Sequence, residues 1–148
     1  MQRLVLVIIL AGALPVSAQT AVDGDKIEMG GTSYRLWGID APEMQQTCAD
    51  GWPAGVEAKN ALAELLRGRK VTCNPKTLDR YGRTVATCWA DDLDVAASMV
   101  LGGQALASPR YTRDYVTHEA VARAAGRGVH GHGCEKPWDW RARHRSNQ

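Results

Sequence analysis

Residues 22–43 read VDGDKIEMGGTSYRLWGIDAPE, and the rest of the chain is organised around them. The acids Asp25, Asp40 and Glu43 and the arginine Arg35 stand there among short apolar alternations. Carboxylate oxygens are the ligands that Ca²⁺ and Mg²⁺ prefer, and a guanidinium meets a phosphate with two parallel hydrogen bonds. Acids and a basic fork in so short a span therefore suit a hard cation and a phosphate. Residues 26–29 and 32–39 alternate like half-buried strands, and Gly30-Gly31 between them is a two-residue hairpin signal. A simple register about that turn puts Asp25 and Asp40 on one face and Arg35 on the other, unless a bulge at Gly38 re-aims its neighbours.

Further along, residues 79–83 read DRYGR. DGD at 23–25, a short hairpin, RLWGIDAPE at 35–43 and then DRYGR, in this order and spacing, resemble the staphylococcal nuclease (thermonuclease) family. The resemblance runs from about residue 22 to residue 140. It implies an α+β, mainly β fold, a five-stranded OB-fold barrel with about three helices. Such barrels are partly open and often bind nucleic acid.

The same resemblance implies a Ca²⁺-dependent endonuclease acting on DNA and RNA, which breaks the 5′ P–O bond and leaves 3′-phosphate ends. Asp25, Asp40 and the backbone carbonyl of Ala41 are the implied calcium ligands. Ala41 stands where the family often has Thr, a change that a carbonyl ligand survives. Glu43 matches the general base, and Arg35 and Arg83 match the arginines that grip the phosphate as charge builds. Tyr81 and Tyr111 are the implied substrate contacts, by stacking on a base or touching a phosphate. Lys26 departs from the family's usual Thr; an ammonium facing the metal weakens cation binding by repulsion, whereas one on the alternate face does not. Asp23 reads as a turn residue beside Gly24. The rival reading is an OB module that binds nucleic acid without cutting it. Copies of that kind normally lose the acids or arginines, and here Asp25, Asp40, Glu43, Arg35 and Arg83 are all present. A third reading is a small exported domain that uses the barrel for protein contacts.

At the N-terminus, Arg3, the apolar run at 4–14 and Val-Ser-Ala at 16–18 have the form of a secretory signal. The run is too short for an ordinary membrane span. The expectation is a signal over 1–18 and one nuclease-like domain over 19–148, secreted or periplasmic, monomeric and without stable membrane association. The 148 residues carry a formal net charge of +2, or +1 without the signal. Nucleic-acid affinity must then come from a local patch rather than bulk charge. Arg141, Arg143, His144 and Arg145 form one basic cluster, read as a solvated tail.

Four cysteines in an exported chain point to two disulfides, with three possible pairings. Cys73 and Cys88 sit symmetrically about Arg80 and Tyr81, where a hairpin turns, and facing strand residues are close enough to bridge. That selects Cys73–Cys88 and leaves Cys48–Cys134, which ties the loop after Glu43 to the C-terminal segment.

A helix is expected from Pro53, with Ala58, Ala61, Leu62, Leu65 and Leu66 on one face and Gly68 as its stop. Strands follow at 69–73 and 84–90 around a polar loop at 74–83. Asp94 can cap a short helix ended by Gly102-Gly103. Residues 104–112 are extended or looped. Asp114 or Thr117 caps a last helix closed by Gly126. The remainder reads as Gly-rich loop and a Trp-Asp-Trp segment. His130, His132 and Cys134 have the look of a soft-metal site, but a loop with a bridged Cys134 is the better reading. His118 is structural or solvated, and Trp37, Trp89, Trp138 and Trp140 are expected to pack the core and the C-terminal closure.

Overall fold

The computed structural model describes residues 18–145; the expected secretory signal, apart from Ala18, lies outside the described residues. In chain order the elements are β1 (Gln19–Asp23), β2 (Lys26–Met29), β3 (Thr32–Leu36), β4 (Ile39–Asp40), α1 (Ala54–Leu66), β5 (Val71–Leu78) and β6 (Thr84–Ala90). They continue as β7 (Leu93–Asp94), α2 (Val95–Leu101), β8 (Leu106–Ala107), α3 (Val116–Ala124), a 3₁₀ turn (Gly128–His130) and α4 (Pro137–Arg145).

The main sheet runs β1-β2-β3-β6-β5, with β7 added beside β6. β1, β2 and β3 form an antiparallel meander, β3 lies parallel to β6, and β5 and β6 form an antiparallel hairpin. This is the five-stranded OB arrangement, partly open as such barrels are; among the described residues no ladder joins β1 to β5. β4 and β8 make a separate two-stranded ladder.

Local chemistry explains the elements. Met29 faces Thr32 across Gly30-Gly31, so the two glycines make the whole turn of the β2–β3 hairpin. β3 stops at Leu36 because Gly38 takes φ +77°, a region most side chains avoid. Beyond it the chain leaves the main sheet, and Ile39 and Asp40 pair with Ala107 and Leu106. α1 lays Ala54, Ala58, Leu62 and Leu66 on the sheet at helical spacing. With Ile27, Leu36, Val95 and Val100 they form a core of aliphatic side chains, each large one contributing about 1.5–3 kcal/mol by burial.

Four expectations are corrected. None of the tryptophans belongs to the buried core: Trp37, Trp89 and Trp140 are half-buried and Trp138 is exposed. Small residues such as Ala86, Ala90 and Ala96 line the packed faces, and Trp37, Trp138 and Trp140 line a cleft instead. β5 extends to Leu78 rather than stopping at Cys73, because pairing with β6 continues to Leu78↔Thr84 through a register shift near Pro75. Proline is tolerated there because β5 is an edge strand. At α3, Tyr115 takes the N-cap position with no side-chain cap. Its ring is buried, so packing fixes the helix start in place of Asp114 or Thr117. Finally, residues 137–145 form a fourth helix instead of a loop and tail, with Pro137 in its first turn, where its fixed φ suits it. Asp94 does cap α2, accepting from the Ala97 amide at 3.0 Å.

Two disulfides, Cys48–Cys134 and Cys73–Cys88, lock the fold. They close separations of 86 and 15 residues respectively. Loop-closure entropy favours the longer bridge, at about 4.5 against about 3 kcal/mol. Replacing Cys48 and Cys134 by Ser should therefore lower unfolding free energy more than replacing Cys73 and Cys88. Urea denaturation of the two double variants checks the order.

Candidate active site

A cleft of about 830 Å³ opens between the β2–β3 hairpin, the β5–β6 turn, the segment carrying Arg110 and Tyr111, and α4. Asp25, which follows β1, lines its floor, and Asp40, which ends β4, shares Arg35 with it; they are 4% and 5% exposed. The break at Gly38 brings them together: Asp40 is carried out of the β3 line and back beside Asp25. Arg35 bridges the pair, Nη1 to Asp25 Oδ1 at 2.7 Å and Nη2 to Asp40 Oδ1 at 2.9 Å. The simple strand register, which set Arg35 on the opposite face, is thereby overturned. The Ala41 amide donates to Asp25 Oδ2 at 3.0 Å, closing the corner.

Burial pushes the Asp25 carboxyl up to about 7; Arg35 pulls it down, while Asp23 and Asp40 add to the rise. The side-chain donors are oxygens alone, on two nearly buried carboxylates that converge on one point, with the Ala41 carbonyl on the adjoining backbone. That set fits a hard cation such as Ca²⁺. Among the described residues no group of three or more His, Cys, Asp or Glu side chains is arranged to hold a metal. The His-Gly-His-Gly-Cys stretch is committed elsewhere: Cys134 is in a disulfide, and His132 stacks on Trp52 and contacts Asp50 at 2.6 Å.

Glu43 follows Pro42 on a tight turn. Gln46 builds that turn, and its side chain is almost wholly buried. The Glu43 amide donates to Gln46 Oε1 at 3.2 Å, the Gln46 amide donates to the Glu43 carbonyl at 2.8 Å, and Gln46 Nε2 donates to the Glu135 carbonyl at 2.7 Å. One glutamine thus ties the Glu43 turn to the segment that leads into α4, and Cys48–Cys134 reinforces the same junction.

The consequence is Arg141. It lies four residues beyond the buried Pro137, so both share one helix face. Its guanidinium reaches Asp40 Oδ2 at 2.6 Å, Asp40 Oδ1 at 3.2 Å and Glu43 Oε1 at 2.8 Å. The C-terminal basic cluster is thus no solvated tail. Arg143 pairs with Glu135 at 2.6 Å and His144 stacks on Trp140. Sequence reading missed both Gln46 and Arg141. For Arg141 a signal existed: Pro137 as a first-turn proline followed by a charged run able to form a helix.

Lys26 is neutralised by Asp23, Nζ to Oδ2 at 2.8 Å. Although burial opposes it, that pairing holds the Asp23 carboxyl below its ordinary value. Asp23 is therefore more than a turn residue: it is the counter-ion of Lys26, and its other oxygen accepts from the Asp25 amide at 3.2 Å.

Arg83, Tyr81 and Tyr111 line the same cleft without joining the carboxylate cluster. Asp79 organises the β5–β6 turn, accepting from the amides of Tyr81 and Arg83 and from Arg83 Nε at 2.5 Å. Arg83 and Arg80 lie over the Tyr81 ring at 5.3 and 4.8 Å. Tyr111 meets Trp37 edge-on at 5.5 Å. Both tyrosines are exposed.

A family model described as staphylococcal nuclease homologue matches residues 33–130. A probable staphylococcal-like nuclease, CAN3, from Oryza sativa subsp. japonica is 36% identical over 110 residues, covering 72% of this chain and 28% of the relative. The succinoglycan biosynthesis protein ExoI of Rhizobium meliloti (strain 1021) is 36% identical over 128 residues, covering 80% of this chain and 67% of the relative. A probable endonuclease, LCL3, of Clavispora lusitaniae (strain ATCC 42720) is 37% identical over 73 residues, covering 47% of this chain and 31% of the relative. The chain thus spans less than a third of the rice and yeast relatives.

Gly55 sets how closely α1 approaches the Glu43 turn. A Cβ there would collide with the Glu43 carbonyl and stand 2.7 Å from Met44 Cα. Both are backbone atoms, so the turn itself must move. Gly55→Ala should destabilise the protein by about 1–3 kcal/mol, the usual cost of overpacking. Urea denaturation measures it, and unchanged stability would show that the turn yields freely.

Proposed function

The chain belongs to the staphylococcal nuclease family, and from that premise we propose that it is an exported, Ca²⁺-dependent endonuclease hydrolysing phosphodiester bonds of DNA and RNA. The observation that carries this reading is that Asp25, Arg35 and Glu43 line one open cleft, with Asp40 ion-paired to Arg35 and to Arg141 beside them. The arrangement supplies a cation seat, a phosphate fork and a base within reach of one another.

Asp25 and Asp40, with the Ala41 carbonyl, hold the cation. When bound, Ca²⁺ supplies positive charge that draws the scissile phosphate in and offsets the charge gathering on its oxygens. Glu43, on its rigid turn, takes the proton from the attacking water. Arg35 rises from the floor and Arg83 from the β5–β6 turn, so their guanidinium groups address the phosphate from two sides. Phosphoryl transfer depends chiefly on such positioning and charge stabilisation. Tyr81 and Tyr111 take the flanking bases. Water's oxygen ends on phosphorus as the 5′ P–O bond breaks, leaving a 3′-phosphate and a 5′-hydroxyl.

Export is supported by the secretory form of residues 1–18 and by the engagement of all four cysteines in disulfides, which persist in oxidising compartments. Among the described residues no helix is long and apolar enough to cross a membrane. We take the working unit to be a monomer.

Nucleic acid cast in a gel and incubated with Ca²⁺ or EGTA tests the activity: clearing is expected with Ca²⁺ and none with the chelator. A protein that binds the gel's nucleic acid without clearing it would be the non-catalytic OB module. Steady-state cleavage by three variants then apportions the roles. Glu43→Gln should lower turnover by about 10²–10⁴-fold, the usual contribution of a general base. Arg35→Lys and Arg83→Lys keep charge but lose the fork, and should lower turnover beyond any loss in binding. Near-normal turnover in folded Glu43→Gln would reject the base, and normal activity in all three would reject the site.

A further inference from the structure

The carboxylates proposed to take the cation and the proton are already engaged. Asp40 Oδ1 accepts from Arg35 and Arg141, and Asp40 Oδ2 accepts from Arg141. Glu43 Oε1 accepts from Arg141 as well. We propose that Arg141 is a positioning residue that occupies Asp40 and Glu43 until a divalent cation displaces it, so that α4 sets the cation concentration at which the cleft becomes competent. The proposal rests on the reading that Asp25 and Asp40 take Ca²⁺.

Charge makes the exchange necessary. Asp25, Asp40 and Glu43 carry three negative charges when ionised, and Arg35 and Arg141 bring two positive ones into direct contact. Bringing a divalent cation onto Asp40 sets it within a few ångströms of a guanidinium on the same carboxylate. Like charges at about 4 Å repel by about 4 kcal/mol per unit charge at an effective dielectric near that of a protein surface. One guanidinium has to leave.

The geometry says which. Arg35 stands within β3, held on one side by Asp25 and on the other by Asp40, with 23% of its side chain exposed. Arg141 is one-third exposed, and both of its ion-pair partners belong to the site. Its helix is lightly seated: Pro137 is the buried residue of α4, and Cys48–Cys134 and Gln46 hold only the approach to it. The side chain can therefore swing away while the helix start stays anchored. Withdrawal frees both oxygens of Asp40 from one partner and frees Glu43 for a water in the same movement, so cation loading and release of the base are coupled.

Calorimetric titration of Ca²⁺ into the full protein without nucleic acid tests this apart from activity. Wild type, Arg141→Gln, Arg141→Lys and Asp40→Asn are compared. Arg141→Gln should bind Ca²⁺ at least about tenfold more tightly than wild type. Arg141→Lys, which keeps a charge but loses the fork, should fall between, and Asp40→Asn should abolish binding. Equal or weaker binding by Arg141→Gln would overturn the proposal while leaving the calcium reading intact. Absence of binding in every protein would overturn both. Wild type supplies a check independent of folding in the variants. Nuclear magnetic resonance of its arginine side chains should show the Arg141 signals move as Ca²⁺ saturates, together with the backbone amides of Asp40 and Ala41. Arg141 signals that stay fixed while those amides shift would refute displacement.

Discussion

Two carboxylates nearly out of reach of water, sharing one arginine, impose the constraint on which the rest of this structure depends. Asp25 and Asp40 are 4% and 5% exposed. Carboxylates so placed repel one another and lose hydration, and the raised Asp25 carboxyl records that cost. Arg35 and Arg141 answer it with direct ion pairs. Such pairs add little net stability against an apolar alternative, yet removing one partner strands a buried charge at a cost of about 3–5 kcal/mol. A fold that keeps this arrangement retains it for chemistry.

The scaffold reads as a set of devices that bring those groups together. Gly38 ends β3 and sends the chain into the β4–β8 ladder, which returns Asp40 to Asp25. Gly55 lets α1 press against the Glu43 turn. Gln46 and Cys48–Cys134 bind that turn to the residues before α4, and the shared face of Pro137 and Arg141 does the rest. Rigidity is concentrated in the sheet and in α1, where the core is dry and aliphatic. α4 contributes a charged side chain to the site while burying little of itself. A firm floor under a lightly held wall suits the open cleft proposed to admit a chain of nucleotides.

Much of this was legible in the chain, and the parts that were not have physical reasons. The motifs from DGD through RLWGIDAPE, with DRYGR beyond, carried the resemblance to the family, and the resemblance carried the OB arrangement. The Cys73/Cys88 symmetry carried the hairpin because antiparallel pairing is local arithmetic. Side-chain reach was not legible: alternation alone set Arg35 across the sheet from the acids, whereas a long guanidinium beside a broken strand spans both. Arg141 lies 101 residues from Asp40 in a run that reads as solvent-exposed charge, and only the disulfide and Gln46 bring it home. Tryptophans misled for a related reason. Their size argues for burial, but a core lined by alanines has no room for them, and they edge the cleft instead.

Those rings, together with Tyr81 and Tyr111, give the cleft its chemical character: acids at the base, arginines on the walls and aromatic faces at the rim. The chain's formal net charge is only +2, so attraction for a polyanion has to be local, and this is where the positive groups and stacking surfaces coincide. The most direct test of that account is mass analysis of the products formed from a short single-stranded oligonucleotide incubated with Ca²⁺ in H₂¹⁸O. Fragments ending in a 3′-phosphate that carries one ¹⁸O are the predicted result. An intact oligonucleotide, or fragments ending in a 3′-hydroxyl, would contradict it.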